Sequence, residues 1–186
     1  MPPSRSQEVG YDVLPALAIA SGDRDLSFEV AQGAEMSVVL RLFNTGHASR
    51  GLALCVTGSA VDDGVIEPIL AEADLPNLME PLKADMKFGL MFDGLVLEGR
   101  IWEHPVDGEF SELIPAGLDV APPFLFKDPV AKQASLDHWR HRTVGLKLDF
   151  LCTKEGQSDF ELWVVPPENP TDGGVLITVS LTVLSA

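Results

Sequence analysis

The chain has 186 residues, 46% of them hydrophobic, which is enough to bury the core of one large domain. Its 28 acidic and 13 basic residues give a formal net charge of −15, which disfavours nucleic acid as a partner, because binding a polyanion requires clustered Lys and Arg. No apolar run reaches the roughly 18 residues of a membrane-spanning helix, so we expect a soluble protein with no membrane span.

Residues 1–24 predict an N-terminal tail or an edge strand. The apolar stretch 13–20 is short, and Glu8, Asp12 and Pro15 argue against a secretory signal, which has a basic start and a continuous apolar centre. We therefore expect a cytoplasmic location rather than secretion.

The two cysteines, Cys55 and Cys152, are too few for a disulfide framework. In a reducing compartment we expect both to be free thiols. The strand alternation around them agrees, since it places Cys152 with the core residues of its strand and Cys55 on the face away from the core.

The first part of the chain predicts three strands in which apolar and polar residues alternate. Two of them cover 25–31 and 36–42. The turn Asn44-Thr45-Gly46 ends the second, because Asn and Gly accept the positive φ angles of turns. The third strand covers 52–56.

Residues 28–56 resemble bacterial immunoglobulin-like sandwich domains of the cell-adhesion-related, CARDB-like kind. The resemblance rests on a polar-Gly lead-in at Gln32-Gly33, a strand, the Asn44-x-Gly46 turn and a second strand. It implies a non-catalytic β-sandwich, and domains of this kind are usually extracellular.

Residues 60–81 predict a connection with one short strand near 65–70. Pro68, Pro76 and Pro81 are too closely spaced for a long helix.

Residues 86–103 predict a β-hairpin, because Asp93-Gly94 is a two-residue turn signal. Folding the chain about this turn pairs Phe92 with Leu95, Leu90 with Leu97 and, further from the tip, Met86 with Ile101. Each pair is apolar, so one face of the hairpin is expected to join the core.

The rest of the chain predicts a long excursion followed by three strands. Residues 104–142 are rich in Pro and Gly and contain one helix candidate, 130–142. The closing strands alternate apolar residues over 144–152, 160–164 and 175–183. Strands at both ends of the sequence must share one core, so we expect a single domain over 25–186 with an insertion at about 104–142.

We therefore predict an all-β fold, an immunoglobulin-like antiparallel β-sandwich of about seven to nine strands. It should carry a Pro-rich, acidic insertion and one short helix.

His138 and His141 form the first candidate site. Three residues apart on a helix, they face the same way and would both reach a metal ion, with His104, His47 or a carboxylate as third ligand. Two arginines beside the pair disfavour a divalent cation, and no glutamate stands between the histidines as it does in zinc proteases. The alternative is a pair of solvated histidines on a cationic helix, with no cofactor bound.

Loop carboxylates give a second candidate, a calcium site. Asp62-Asp63-Gly64, Asp107-x-Glu109 and Glu112 are of the kind that hold Ca²⁺ at the ends of sandwiches, although their ligand spacing is not ordered. Solvated acidic turns are the alternative reading.

Three tryptophans, Trp102, Trp139 and Trp163, give a third candidate. They would form a platform for stacking a sugar if at least two rings were exposed and coplanar. Packing in the core or in an interface is the alternative use of such large apolar side chains.

These patterns favour a non-catalytic structural or protein-interaction module, because no motif of nucleophilic or nucleotide chemistry occurs. We expect a protein partner that contacts the insertion and the exposed edge strands, with a homo-oligomer as one form of that partnership. The alternatives are a carbohydrate- or calcium-binding domain and, after them, a metal-dependent enzyme that uses His138 and His141.

Charge is unevenly distributed along the chain. Residues 62–112 contain 13 acidic and three basic residues, whereas 127–147 contain five basic and two acidic ones. The basic segment is therefore expected to contact the acidic one, within a subunit or between two.

The double variant Arg140→Glu, Arg142→Glu tests this contact. We expect lower stability or weaker self-association at low ionic strength, with a difference that shrinks as salt rises, because exposed ion pairs contribute about 0–1 kcal/mol each and are screened. Urea denaturation and sedimentation at two salt concentrations measure both quantities. Equal behaviour of variant and parent at low salt would contradict the prediction.

Overall fold

Alternating apolar residues organise the chain into two β-sheets that face each other across one core. The fold comes from a computed structural model. It describes residues 14–75, 78–81, 83–86, 90–92, 95–97, 99–105, 114, 116–117, 125–139 and 142–185.

The first sheet has five strands among the residues that the structure describes. In spatial order they are β1 (Leu17–Ser21), β3 (Glu35–Asn44), β11 (Thr143–Cys152), β5 (Ile66–Leu75) and β6 (Leu78–Pro81). Each neighbouring pair is antiparallel.

The second sheet has six strands in the described ranges. In spatial order they are β2 (Asp25–Ala31), β13 (Val175–Leu184), β12 (Gly156–Val165), β4 (Gly51–Thr57), β10 (Arg100–Pro105) and β7 (Lys83–Met86). A separate two-stranded ribbon is formed by β8 (Leu90–Phe92) and β9 (Leu95–Leu97).

The immunoglobulin-like sandwich predicted from the sequence is confirmed in its architecture and corrected in one pairing. β2 runs parallel to β13, so the sandwich is mixed rather than fully antiparallel. The order β1, β3, β11, β5 against β13, β12, β4 matches the two-sheet arrangement of immunoglobulin domains. The connections differ, because the chain passes from β4 to β5 before it returns to the second sheet in β7 and β10.

One cluster of buried apolar residues fills the space between the sheets. The alternation is visible in the burial of β3, where every second residue from Met36 to Leu42 is buried. β11 and β13 repeat this pattern, and Cys152 and Val183 lie in the same core. Strands from both ends of the chain therefore stabilise each other.

The predicted hairpin is confirmed at its tip, but farther from the turn the pairing register differs from the prediction by one residue. Leu90 pairs with Leu97 and Phe92 with Leu95, as expected. Met86, however, pairs with Arg100 rather than Ile101, so one strand has one more residue than the other between the two ladders. Gly99, with a φ of 141°, lies at this offset, in a backbone conformation that favours glycine.

Residues 60–81 are more regular than the predicted connection. A short helix, α1 (Ser59–Asp62), leads into β5, which is ten residues long. Pro68 is accommodated at an irregularity of the ladder with β11, where Phe150 pairs with Pro68 and Asp149 with Leu70, and Ile69 is passed over. Prolines argue against helices more strongly than against a strand that contains such a bulge.

The predicted helix is present as α2 (Pro129–Trp139). The Asp128 carboxylate accepts a hydrogen bond from the Ala131 N–H at 3.0 Å and so caps its first turn. At the other end, Trp139 is buried against Phe43 of β3, with ring centroids 4.9 Å apart. Neither helix, within the residues described, is long and apolar enough to cross a membrane.

Trp139→Ala tests whether this one ring holds α2 on the sandwich. We expect a loss of about 3–5 kcal/mol in the free energy of unfolding, because the substitution empties a buried aromatic site. Leu136→Ala is the matched control on the same helix, since Leu136 is 43% exposed and should change stability by only about 0.5 kcal/mol. Urea denaturation followed by circular dichroism measures both, and equal losses would contradict the assignment.

Candidate interaction surface

β2 is an edge strand whose outer backbone groups have no strand beside them in the described part of the chain. Along β13, the Arg24 carbonyl accepts from the Thr178 N–H at 2.7 Å, and the Gln32 N–H donates to the Leu184 carbonyl at 2.8 Å. Bonds of a parallel ladder recur at every second residue, so the even-numbered residues of β2 bond to β13. The N–H and C=O groups of Asp25, Ser27 and Glu29 therefore point to the open edge.

The side chains of these three residues lie on the outer face of the sheet and are exposed. The Asp25 carboxylate accepts a hydrogen bond from the Thr178 hydroxyl on β13. Glu29 lies opposite Thr182 in the same ladder. The edge thus offers two carboxylates, one on each side of Ser27.

The negative charge continues across the sheet. On β12, Glu161 lies opposite Thr178, and Asp159 lies opposite Ser180. No ion pair between described residues joins Asp25, Glu29, Asp159 or Glu161 to a cation. We call the surface formed by these four carboxylates and the Ser and Thr residues of β13 between them the acidic face.

The inner side of β2 is apolar and incompletely covered. Leu26, Phe28 and Val30 pack against the core but remain only half-buried. The partner residues Val179, Leu181 and Val183 on β13 are almost fully buried. Burial therefore falls off at β2, where the sheet ends on its open side.

The outer face of the first sheet carries two ion pairs between described residues. Arg41 of β3 reaches across β11 to Asp74 of β5, with Nη2 2.8 Å from Oδ2, and donates from Nη1 to Thr143 Oγ1 at 2.8 Å. Gly145 lies between Arg41 and Asp74 in register, and a Cβ there would be 2.9 Å from Arg41 Nη2. Lys147 Nζ lies 3.7 Å from the Asp149 carboxylate on the same strand.

The edge of the first sheet at β1 is anchored by hydrogen bonds to the segments beside it. At the start of β1, the Leu17 N–H donates to the Gly173 carbonyl at 2.8 Å. The buried Asn44 side chain accepts from the Ala16 N–H at 2.9 Å, just before the strand begins. The Asn44-Thr45-Gly46 turn predicted from the sequence thus anchors the entry of β1.

The predicted metal site is only partly within the described residues. His138 is half-buried beside Trp139, with ring centroids 6.0 Å apart. His141 and the side chain of His104 lie outside the described part of the chain, so the three-histidine site stays a prediction. Among the described residues, no three His, Cys, Asp or Glu side chains group closely enough to hold a metal ion.

The three tryptophans do not form one platform. Trp139 is 2% exposed in its contact with Phe43, which leaves its ring no free face for a sugar. Trp163 is half-buried on β12 and lies in register with Cys55. The backbone of Trp102 lies in register with Leu54, one row away from the row of Trp163, and its side chain is outside the described part.

The calcium candidate at Asp62-Asp63-Gly64 has two of its three carbonyls already bonded. The Asp63 carbonyl accepts from Lys154 Nζ at 2.8 Å, and the Gly64 carbonyl accepts from the Thr153 hydroxyl at 2.5 Å. An ammonium group at this position repels a dication, so the solvated-turn reading fits this loop better. Asp107, Glu109 and Glu112 lie outside the described residues.

The contact expected between the basic segment and the acidic region stays a prediction, because no ion pair between described residues joins the two. Lys147 of β11 lies opposite Glu72 of β5, in the acidic region. Arg142 instead donates to the Ala116 carbonyl at 3.2 Å and to the His138 carbonyl at 3.3 Å. Arg140 lies outside the described residues. The charge reversal at Arg142 removes these bonds to neutral carbonyls at any ionic strength, so only the salt-dependent part of its effect reports on the contact with the acidic region.

Both cysteines are free and fully buried. Burial raises the pKa of the Cys55 thiol to about 12 and also raises that of Cys152. A thiol held in its neutral form is a poor nucleophile. Cys55 is buried although it lies on the outer side of β4, since that strand is covered on both faces.

The edge residues Asp25, Ser27 and Glu29 were not singled out by the sequence reading. The alternation of 25–31 marked them as the polar side of a strand, which is typical of any half-buried strand. Only the observed sheet order, in which β2 has β13 on one side and no described strand on the other, shows that β2 is an edge strand.

Comparisons with known proteins support no family. No family model and no curated protein matches the chain, so the CARDB-like membership suggested by residues 28–56 is not supported.

Some solved structures are similar in shape at low identity. The chain is 10% identical to an ASH or PapD-like domain of human CEP192, with a TM-score of 0.36, over 91% of this chain and 86% of that one. It is 10% identical to AggA, the major subunit of aggregative adherence fimbriae type I from Escherichia coli, with a TM-score of 0.33, over 93% and 96%. It is 6% identical to AvmM, described as catalysing macrocyclization in alchivemycin A biosynthesis, with a TM-score of 0.46, over 90% and 88%.

The burial of Cys55 and Cys152 can be tested with a thiol reagent. We expect both to react slowly with a thiol reagent in the native protein at neutral pH, and two thiols per chain to titrate after unfolding without reductant. Two titrated thiols would show that the cysteines are not bonded to each other, and none would contradict it.

The raised pKa of the buried Cys55 thiol also makes the free energy of unfolding depend on pH. The unfolded Cys55 thiol, with its ordinary pKa of 9.0, loses its proton before the folded one does, so its contribution to stability is full below pH 9 and falls as pH rises toward 12. Urea midpoints between pH 7 and pH 10 should therefore fall more steeply for the parent than for Cys55→Ala. Parallel slopes would show that the thiol does not contribute.

Proposed function

We propose that the protein is a non-catalytic interaction module that binds an extended, basic segment of a partner protein as an added strand along β2. The observation that carries the proposal is the open edge, where the backbone groups of Asp25, Ser27 and Glu29 point away from β13. An exposed strand edge is a template for main-chain hydrogen bonds with an incoming chain. A reducing, cytoplasmic location belongs to the same proposal and is supported by the two free thiols.

The charge of the surface selects the kind of partner. The edge and the acidic face carry four carboxylates that form no ion pair among the described residues, in a chain of net charge −15. Such a field attracts cationic segments and speeds their encounter at low salt. The same charge repels an acidic partner.

A second copy of the chain is a poorer occupant of this edge. In an antiparallel pairing of two β2 strands about Ser27, Asp25 of each copy would lie opposite Glu29 of the other. Like charges directly opposite destabilise a strand pair. The homo-oligomer expected as one form of partnership is therefore not proposed at β2.

Ser27→Pro tests the binding mode. Proline removes the N–H that points to the open edge, whereas the bonds to β13 come from the even-numbered residues and are kept. Ser27→Ala is the matched control, because it removes the hydroxyl and keeps the N–H. Short peptides selected from a random displayed library should bind the parent and the alanine variant and lose binding to the proline variant.

Circular dichroism of both variants is the control for folding. Should the proline variant fail to fold, amide hydrogen exchange on the parent decides, since a bound peptide should protect the N–H groups of Ser27 and Glu29. A library that yields no peptide, or only peptides that bind the proline variant equally and leave these amides unprotected, would overturn the proposal.

A further inference from the structure

We infer that the segment bound by β2 has the pattern cation, apolar, small polar, apolar, cation. The inference rests on the proposed function and adds the sequence class of the partner. It follows from the identity of five successive residues, Asp25 to Glu29, and from the direction in which each one faces.

The outer positions of the pattern follow from the two carboxylates. Side chains of an added strand alternate between the two faces, so residues opposite Asp25 and Glu29 lie on the outer face, four positions apart. At about 3.3 Å per residue, this places the two carboxylates roughly 13 Å apart along the strand. Lysine or arginine at the matching positions pairs with both, and opposite charges across a strand pair are stabilising.

The inner positions follow from the open side of the core. Leu26 and Phe28 face the core but are only half-buried at the end of the sheet. Apolar residues opposite them would remove this remaining surface from water, which favours binding by about 25 cal/mol for each Å² buried. A charged residue there would lose hydration without gaining a partner.

The central position faces Ser27, which has a small, exposed side chain between the two carboxylates. Threonine or serine matches it, because hydroxyl pairs are compatible across neighbouring strands. The pattern is symmetric about this position. It therefore reads the same whether the incoming strand runs parallel or antiparallel to β2, and the orientation is left to the rest of the partner.

Two peptides of identical composition test the pattern. One is Lys-Val-Thr-Val-Lys and the other Val-Lys-Thr-Lys-Val, each flanked by glycine and capped at both ends. In the second the lysines are two positions apart, so they cannot face Asp25 and Glu29 together. We expect the first to bind at least about fivefold more tightly by isothermal titration, because only it makes two ion pairs while burying both valines.

A pair of protein variants with equal charge change supplies the control. Asp25→Asn with Glu29→Gln should weaken the first peptide by about two- to twentyfold, an effect that shrinks as salt rises. Asp159→Asn with Glu161→Gln removes the same charge two strands from the edge and should have a smaller effect. Sedimentation of the edge variant also shows whether Asp25 and Glu29 prevent two copies from pairing.

The outcomes separate the inference from the proposed function. Equal affinity of the two peptides, no binding of the first, or equal effects of the two charge-removing variants would overturn the pattern. If library peptides of another pattern still depend on the Ser27 N–H, the interaction at β2 stands and only the partner class is wrong. If no peptide binds β2, both fail.

Discussion

The parallel pairing of β2 with β13 is the constraint on which the rest of this structure depends. It joins a strand near the start of the chain to the last one, which brings both ends into the same sandwich. It also settles what each residue of β2 does. The even-numbered residues bond to β13 and point apolar side chains to the core, whereas Asp25, Ser27 and Glu29 point backbone groups to the open edge and polar side chains to the outer face.

An open strand edge can pair with another copy of the same chain as well as with a different partner, and the charges on β2 affect both kinds of pairing. Carboxylates at Asp25 and Glu29 oppose pairing between identical copies, which is the means by which many β proteins avoid edge-to-edge aggregation. The same two groups favour a cationic segment. On the first sheet, Arg41 and Asp74 pair with each other across Gly145.

Parts of the sequence that suggested chemistry serve structure instead. Trp139 holds α2 against Phe43, and the Asp63 and Gly64 carbonyls bind Lys154 and Thr153. In each case a residue type suited to ligand binding satisfies a local need, an apolar contact or a carbonyl without a partner. The proposed interaction surface lies elsewhere, on β2, whose alternation is typical of any half-buried strand.

The sequence by itself determined the strands, because period-two alternation is a local property of the chain. It predicted 25–31 at its observed bounds and the Leu90–Leu97 and Phe92–Leu95 pairs, since a two-residue turn fixes its own register. Which strands become neighbours is not local. Only the tertiary structure decided that β2 pairs with β13 on one side only, that Met86 lies opposite Arg100 and that Trp139 is buried, because these depend on residues far apart in sequence competing for one core.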